Sequence, residues 1–400
     1  MLTINRRSTH TILAQSLANE VRRFVDELII PNEPQLACKE NQSAQLQSEL
    51  AEKARSAGLW GLFYPASYGG KITALEDYLL VAEQEARTEF SSDIFGSHSA
   101  LDAHMLLKFG NHEIRKQFLE PMISGKTIPS YGMTEPEHSG SIPDLITTSA
   151  HLSNGNWHIN GRKWFVSNAH KATFITVLAR TGEKDALLSS ALSMIIVPAN
   201  TTGLKVERPI PIAGSSLDQS EISFNAVQVP EHYLLGGCGK GLELMNQRLG
   251  IGRLLRAMSW VGLAQRCLDL MGARINSAHG RSARLPEKQL VRQHIGNTYQ
   301  AIASARALIR IAARGVDTQC SSHIEINTAK MAASRALCIA SDSAIQLYGA
   351  EGISDLTPLS GISKIARASR ILDGTEDSLI SSIGRQLIHF YQQKSTYSFD

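Results

Sequence analysis

The chain has little cysteine. Cys38, Cys238, Cys267, Cys320 and Cys338 are scattered over 400 residues, odd in number and without a C-x-x-C pair. That excludes a disulfide framework and a thiolate zinc site. It points instead to reduced thiols in a reducing compartment, and so to a cytoplasmic protein. Charge of one sign is also lacking: a net +3 is too small to argue for nucleic acid or an acidic membrane as a partner. No apolar run approaches the roughly 18 residues of a membrane span. Internal repeats and low-complexity segments are absent. Arg6 and Arg7 have no apolar stretch behind them, and helical periodicity begins by Ile12, which leaves little room for a removable presequence. His138 stands alone and supports no metal site.

What is there resembles an ordinary soluble enzyme, 43% hydrophobic and 19% charged, long enough for two or three domains. Residues 1–127 read as helices. Ile12, Leu13, Leu17, Val21, Phe24 and Val25 recur at helical spacing, and Leu46, Leu50 and Ala54 follow at four-residue steps. Asp77 to Arg87 and Ala100 to Phe109 give two more helices, and Asn111 suits the N-cap of another that should break at Pro121. Residues 128–238 switch to short strands. Asn154-Gly155 is a hairpin turn between Ala150–Leu152 and Trp157–Ile159, and Phe174–Ala179, Leu192–Val197 and Glu221–Phe224 follow. This spacing predicts a small antiparallel barrel or sandwich. Gly236-Gly-Cys-Gly-Lys-Gly241 lacks the ending of a phosphate loop and reads as a flexible junction. Residues 239–400 are again helical, with Leu242, Met245, Leu249, Leu255 and Val261 on one face of the first helix. The expected fold is α+β: a helical N-terminal domain, a small middle β domain and a C-terminal domain like a four-helix bundle.

Within the last part, Asp373 follows the apolar pair Ile371 and Leu372 and precedes Gly374, Thr375 and a helical pattern. A short acid held beside apolar residues can act as a base near neutral pH. The same residues fit a D-x-x-E capping box, Asp373 with Glu376. The local pattern leaves both readings open.

Four segments, in order, resemble the acyl-CoA dehydrogenase flavoprotein family. They are Tyr131-Gly-Met-Thr-Glu-Pro136 followed by Gly140-Ser141; Asn160-Gly-Arg-Lys-Trp-Phe-Val-Ser-Asn168; Val261-Gly-Leu-Ala-Gln265, on a helix beginning near Arg253; and Gln346-Leu-Tyr-Gly-Ala-Glu-Gly352 with Asp373-Gly-Thr375. The loop from Gly61 to Gly70 is also similar to a family loop, and the resemblance runs from about residue 12 to 391. It implies FAD as cofactor and α,β-dehydrogenation of an acyl-CoA or acyl-carrier thioester. It also implies electron-transferring flavoprotein as acceptor and a homodimer or homotetramer.

Residue by residue, the resemblance makes Asp373 the α-proton base. Thr134, with the Met133 backbone, would meet the flavin pyrimidine edge. Ser167 would donate near flavin N5, Phe165 would cover one flavin face, and Thr375 would contact the flavin. Ser141 would touch FAD pyrophosphate or the CoA moiety. Gln346, Gly349 and Ala350 would meet the FAD of a neighbouring subunit, and Arg253 and Gly374 would line the thioester site. The chain departs from the family in two places. Asp373 stands where most members have Glu, which shortens the reach by about one C–C bond, roughly 1.5 Å. Gly252 closes the alternative base position. Ala278-His-Gly-Arg-Ser282 replaces an Arg-x-x-Phe-Gly segment, with Arg281 or Arg284 as substitutes. Asp373 also suits a flavin oxidase or monooxygenase of the same fold, similar to nitroalkane oxidase. The altered segment suits a catalytically silent acyl-CoA-binding member.

Overall fold

The computed structural model describes residues 9–38, 41–140, 142–183, 186–212, 218–320 and 322–393; Arg6, Arg7 and Ser141 lie outside them. The chain divides into two compact units. The first is Met1–Phe63, Gly70–Ser97 and Gly250–Asp400, and the second is Tyr64–Gly69 and His98–Leu249. No helix of the described residues is long and apolar enough to cross a membrane.

The first unit is helical. It contains α1 (Thr9–Phe24), α2 (Asn41–Ser56) and α3 (Leu75–Glu85). After α4 (Ala100–Phe109) of the second unit, the chain returns through α5 (Gly241–Asn276) to α6 (Gln289–Asp317), α7 (His323–Tyr348), α8 (Leu359–Ser369) and α9 (Glu376–Gln393). Helix α6 packs on α7, which also carries α8 and α9, while α1 and α6 both pack on α3. Ion pairs join distant stretches of sequence inside this unit. Arg266 grips Glu33 with both terminal nitrogens, Arg87 reaches Asp26 and Asp269, and Arg306 reaches Glu83. Forked guanidinium–carboxylate bonds of this kind fix orientation as well as distance.

Helix α5 is longer than the family resemblance implied. It starts at Gly241, where the periodicity from Leu242 places it, rather than near Arg253 as the family motif implied. Of the five expected face residues, Met245 and Val261 are buried and Leu242, Leu249 and Leu255 only half-buried, while Leu244, Leu254, Ala257 and Met258 also fill the interior. A single apolar stripe was the wrong picture for a helix buried on more than one side.

Among the described residues the second unit is built on one eight-stranded sheet, β1 (Pro129–Gly132), β2 (Ser149–Ser153), β3 (Asn156–Ser167), β4 (Phe174–Arg180), β5 (Leu192–Pro198), β6 (Leu204–Pro209), β7 (Gln219–Pro230) and β8 (Leu234–Leu235). The order is β6-β7-β3-β2-β4-β5-β8, with β1 paired to β4. Pairing is antiparallel except for β1 and β2 against β4, which are parallel. The Asn154-Gly155 hairpin forms with both residues at positive φ, closing Ser153 onto Asn156. Strands β4 and β5 are buried along nearly their whole length, as their unbroken apolar runs require. The edge strand β6 carries Lys205, Glu207 and Arg208 on exposed positions, which discourages further pairing.

Two local expectations are corrected. Pro121 does not end its helix. A π turn over Arg115–Leu119 precedes it, and the helix resumes over Glu120–Ile123 with Pro121 in the first turn, where its missing N–H removes no bond. The Gly236–Gly241 junction is pinned rather than loose. Gly236 N–H bonds Phe109 O, Gly239 N–H bonds Ser193 Oγ, and a Cβ at Gly241 would lie 2.6 Å from the Leu192 carbonyl carbon.

The start of α3 is held from far along the chain. Leu75 and Glu76 N–H donate to the Asp317 carboxylate at 2.8 and 2.9 Å. Asp317→Ala removes both acceptors at a helix N-terminus and is expected to lower unfolding stability by about 1–2 kcal/mol. Chemical denaturation of the variant and the parent checks this, and an unchanged midpoint counts against the assignment.

Candidate active site

The turn between α8 and α9 is closed by its own backbone. Ile371 and Leu372 N–H close back on Ala368 O, and Glu376 N–H closes on Arg370 O. Between them Asp373 (φ 56) and Gly374 (φ 105) are both left-handed. Asp tolerates this region better than most residues, yet such a position persists only where its surroundings hold it, at a cost of roughly 1–3 kcal/mol. Two charged donors hold it here. Arg253 Nε donates to Asp373 O at 2.9 Å, and Lys330 Nζ donates to Gly374 O at 2.8 Å. Arg253 Nη1 also donates to Asn327 Oδ1 at 3.2 Å, so one of its nitrogens serves the turn and another ties it to α7.

The capping box expected of Asp373 and Glu376 does not form. Thr375 takes over, its Oγ1 accepting from Ser378 N–H at 3.3 Å. Glu376 turns away to bond Arg335 and Arg370. The Asp373 carboxylate is therefore not used to start α9. It is about one-third exposed and faces the Arg256 guanidinium at 3.5 Å, one helical turn beyond Arg253. Ile371, expected as apolar cover, is itself more exposed than buried, at 53%.

The second unit holds the other cluster of candidate residues. Met133 and Thr134 follow β1, and Trp164 N–H donates to Thr134 O at 2.9 Å. Under them lies a buried ion pair. Lys163, fully buried, donates to Met133 O at 2.8 Å and to Glu135 Oε1 at 2.9 Å. Glu135 also accepts from Thr147 N–H, Thr147 Oγ1 and Thr148 N–H at 2.7–2.8 Å. Burial works to raise the Glu135 pKa, but Lys163 and these donors outweigh it and hold it down at about 2. A Cβ at Gly140 would meet Thr134 Cγ2 at 2.9 Å, so that close approach needs glycine.

Phe165 sits in the irregular part of β3, left-handed at φ 49, with 40% of its surface exposed and an edge-on contact to Trp164. Ser167 Oγ accepts from Gln219 Nε2 at 2.9 Å, which leaves its own O–H free to donate elsewhere. Trp164 Nε1 is buried without a hydrogen-bond partner. An exposed aromatic ring on a strained backbone, beside an available hydroxyl donor and a rigid loop, fits the face and edge of a flat heteroaromatic cofactor such as a flavin.

Comparison with known proteins gives the family. Residues 13–126, 130–227 and 239–388 match the N-terminal, middle and C-terminal domain models of acyl-CoA dehydrogenase. The Mycobacterium tuberculosis protein named probable acyl-CoA dehydrogenase FadE2 is 33% identical over 359 residues, 88% of this chain and 87% of that one. The chain belongs to the acyl-CoA dehydrogenase family. Mouse acyl-CoA dehydrogenase family member 11 is 33% identical over 93% of the chain, but the chain spans only about half, 50%, of that relative. In fold it resembles butyryl-CoA dehydrogenase from Megasphaera elsdenii, with TM-score 0.79 and 22% identity, covering 95% of this chain and 98% of the other. FAD is the cofactor of this family.

Of the residues the family resemblance singled out, the structure gathers Asp373, Gly374, Thr375 and Arg253 in the first unit. It gathers Met133, Thr134, Phe165 and Ser167 in the second. Gln346, Gly349 and Ala350 are exposed at the end of α7. Gln346 is sixteen residues beyond Lys330 on that helix, so about 24 Å along its axis from the 373–374 turn that Lys330 holds. Ser141 lies outside the described residues. Of the substitutes for the missing Arg-x-x-Phe-Gly, Arg284 is paired with Glu287 on its own turn and Arg281 is exposed beside it.

Sequence reasoning missed Lys330, Asn327, Arg256 and the role of Lys163. The available signal was a lone lysine inside apolar sequence: Ala-Lys330-Met-Ala-Ala in one case, and Lys163 in the second family motif in the other. Lys163→Met leaves Glu135 buried and uncompensated, so a loss of about 3–5 kcal/mol is expected. The Glu135 pKa is lowered in the folded state, so its stabilisation is present above its ordinary 4.5 and drains away as pH falls from there towards 2. Urea denaturation from pH 7 to pH 3 should show this loss in the parent and a much weaker one in Glu135→Gln. A parallel fall in both proteins is the contrary result.

Proposed function

We propose that this protein is an FAD-dependent dehydrogenase of acyl thioesters, with Asp373 as the base that takes the α-proton. The observation that carries the reading is the Asp373 carboxylate itself. It sits on a turn fixed through both neighbouring carbonyls, while Thr375 has relieved it of capping α9. When bound, FAD would supply the acceptor for the β-hydride. The chain supplies the rest. Asp373 removes the proton, and its own backbone N–H is the donor assigned to the thioester oxygen, where charge develops. The Arg256 guanidinium must swing from the carboxylate before a proton can be taken, and its exposed position gives it room to do so. Met133, Thr134, Phe165 and Ser167 would hold the flavin ring, with Lys163 and Glu135 as the rigid base beneath them.

In the assembly we assign Gln346, Gly349 and Ala350 to the FAD of a neighbouring copy in a homodimer or homotetramer. Their distance along α7 from the Asp373 turn supports this. Acyl-CoA is the assigned substrate, an acyl carrier thioester the variant of it, and electron-transferring flavoprotein the acceptor. A cytoplasmic site of action rests on the reduced-thiol pattern of the sequence.

The test is anaerobic mixing of the purified yellow protein with acyl-CoAs of several chain lengths, following flavin absorbance. Bleaching is expected with at least one of them. Asp373→Asn should retain FAD and lose reduction by roughly 10²–10⁴-fold, the range for a general base. Unimpaired bleaching in that variant, or a parent protein that never bleaches, would sink the proposal. Peroxide release without an acceptor protein would move the reaction to the oxidase class.

A further inference from the structure

Lys330 is fully buried near the first third of α7, in a helix interior made, Asn327 apart, of small and apolar side chains. An ammonium there gives up its water shell, and the effective cost of burying one is several kcal/mol unless strong partners replace that water. Methionine would fill similar space without that cost. The partners Lys330 has found are informative. Its Nζ donates to Gly374 O at 2.8 Å, and it lies 5.3 Å from the centre of the buried Trp260 ring. Arg253 holds the adjacent Asp373 carbonyl, and Asn327, one turn before Lys330, accepts from Arg253.

We propose that Lys330 is a positioning residue for the base: with Arg253 it clamps the two successive carbonyls of the left-handed Asp373–Gly374 turn and so aims the Asp373 carboxylate. The inference rests on the reading of Asp373 as base, and it names a residue that the family motifs quoted above do not contain. Neither peptide plane of the turn can rotate while both carbonyls are engaged. Beyond the flanking backbone bonds to Ala368 O and Arg370 O, the left-handed Asp373–Gly374 pair relies on these two donors, since the capping of α9 is left to Thr375. A carboxylate one methylene shorter than glutamate depends more on the accuracy of its backbone, because it has one fewer torsion with which to correct its aim. Misplacing a reacting group by about 1 Å costs on the order of 10²-fold in rate.

The clamp is sensitive to pH. Burial pushes the Lys330 amine down to about 8; Asp373 and Glu376 oppose this and Arg253 adds to it. The charged groups facing it are Asp373 and Arg253, with Glu376 on α9, itself tied to Arg335 and Arg370. As pH rises through about 8 the ammonium loses its proton and the charge-assisted bond to Gly374 O weakens. Rate should therefore fall on the alkaline side, the opposite sense to the loss of a base at low pH.

The experiment compares the full-length holoprotein with Lys330→Met, Lys330→Gln and, as control, Asp373→Asn. It uses the acyl-CoA that bleaches the parent best. The expected result is a 10- to 100-fold fall in the limiting rate of flavin reduction for Lys330→Met. KM should stay within threefold, FAD should be retained, and the alkaline limb near pH 8 seen in the parent should be gone. Hydrogen exchange of peptides covering 371–378 should quicken at least tenfold in Lys330→Met without substrate. A parental rate and pH profile in Lys330→Met, or unchanged exchange at 371–378, overturns the proposal. Should Lys330→Met fail to fold, Lys330→Gln and the parent pH profile decide, and a parent with no alkaline limb between pH 7 and 9.5 overturns it. Asp373→Asn separates the two readings. If that variant still reduces flavin, the base assignment has failed, and quickened exchange in Lys330→Met then reports only a structural clamp.

Discussion

A buried ammonium must have an oxygen to hold, and both candidate functional segments of this protein are fixed by that demand. Lys330 takes the carbonyl of Gly374, and Lys163 takes the carbonyl of Met133. Each lysine is fully buried, so neither can fall back on water. Neither serves as a generic stabiliser. A desolvated charge in a protein interior often breaks even against a well-packed apolar side chain, whereas removing one partner from such a contact is severe. What the charge contributes is direction. A charge-assisted bond to a main-chain carbonyl fixes a peptide plane, and the side chains on either side follow.

The turn at 373–374 shows how the structure frees a carboxylate for chemistry. Helix α9 needs a cap, and the nearest acid would be the obvious supplier. Thr375 supplies it instead, and Glu376 is drawn off by Arg335 and Arg370. Asp373 is left with one loose contact to Arg256 and a backbone gripped through its neighbours. On the proposed reading these two facts belong together: a base must be unoccupied by the fold and yet held in place. The segment proposed to hold the flavin follows the same division of labour. Lys163 and Glu135 fix the frame from below, while Phe165 and Ser167 keep a ring face and a hydroxyl proton available.

Much of the architecture could be read in the chain, because it depends on near neighbours. The period of Val21, Phe24 and Val25, the unbroken runs of β4 and β5, and the Asn154-Gly155 turn each rest on contacts within a few residues or on intrinsic backbone preference. Asn111 was likewise legible as a cap, and its side chain does accept from Ile114 N–H. The failures were equally physical. Pro121 was read as a helix end because a π turn that absorbs its missing donor leaves no compositional mark. The face of α5 was misdrawn because a helix with neighbours on several sides no longer shows one stripe.

The sequence by itself determined the α, β, α order of elements, the acyl-CoA dehydrogenase motifs and the identity of the acid at 373. Local periodicity and short motifs carry that information without reference to the rest of the molecule. Only the tertiary structure decided which residue caps α9, what Arg253 and Lys330 hold, and which charges face Asp373. The partners in those contacts stand 120 residues apart for Arg253 and Asp373, and 44 apart for Lys330 and Gly374. A polar side chain takes whichever partner is nearest once its water is gone, and over such separations that partner is chosen by packing rather than by spacing in the chain.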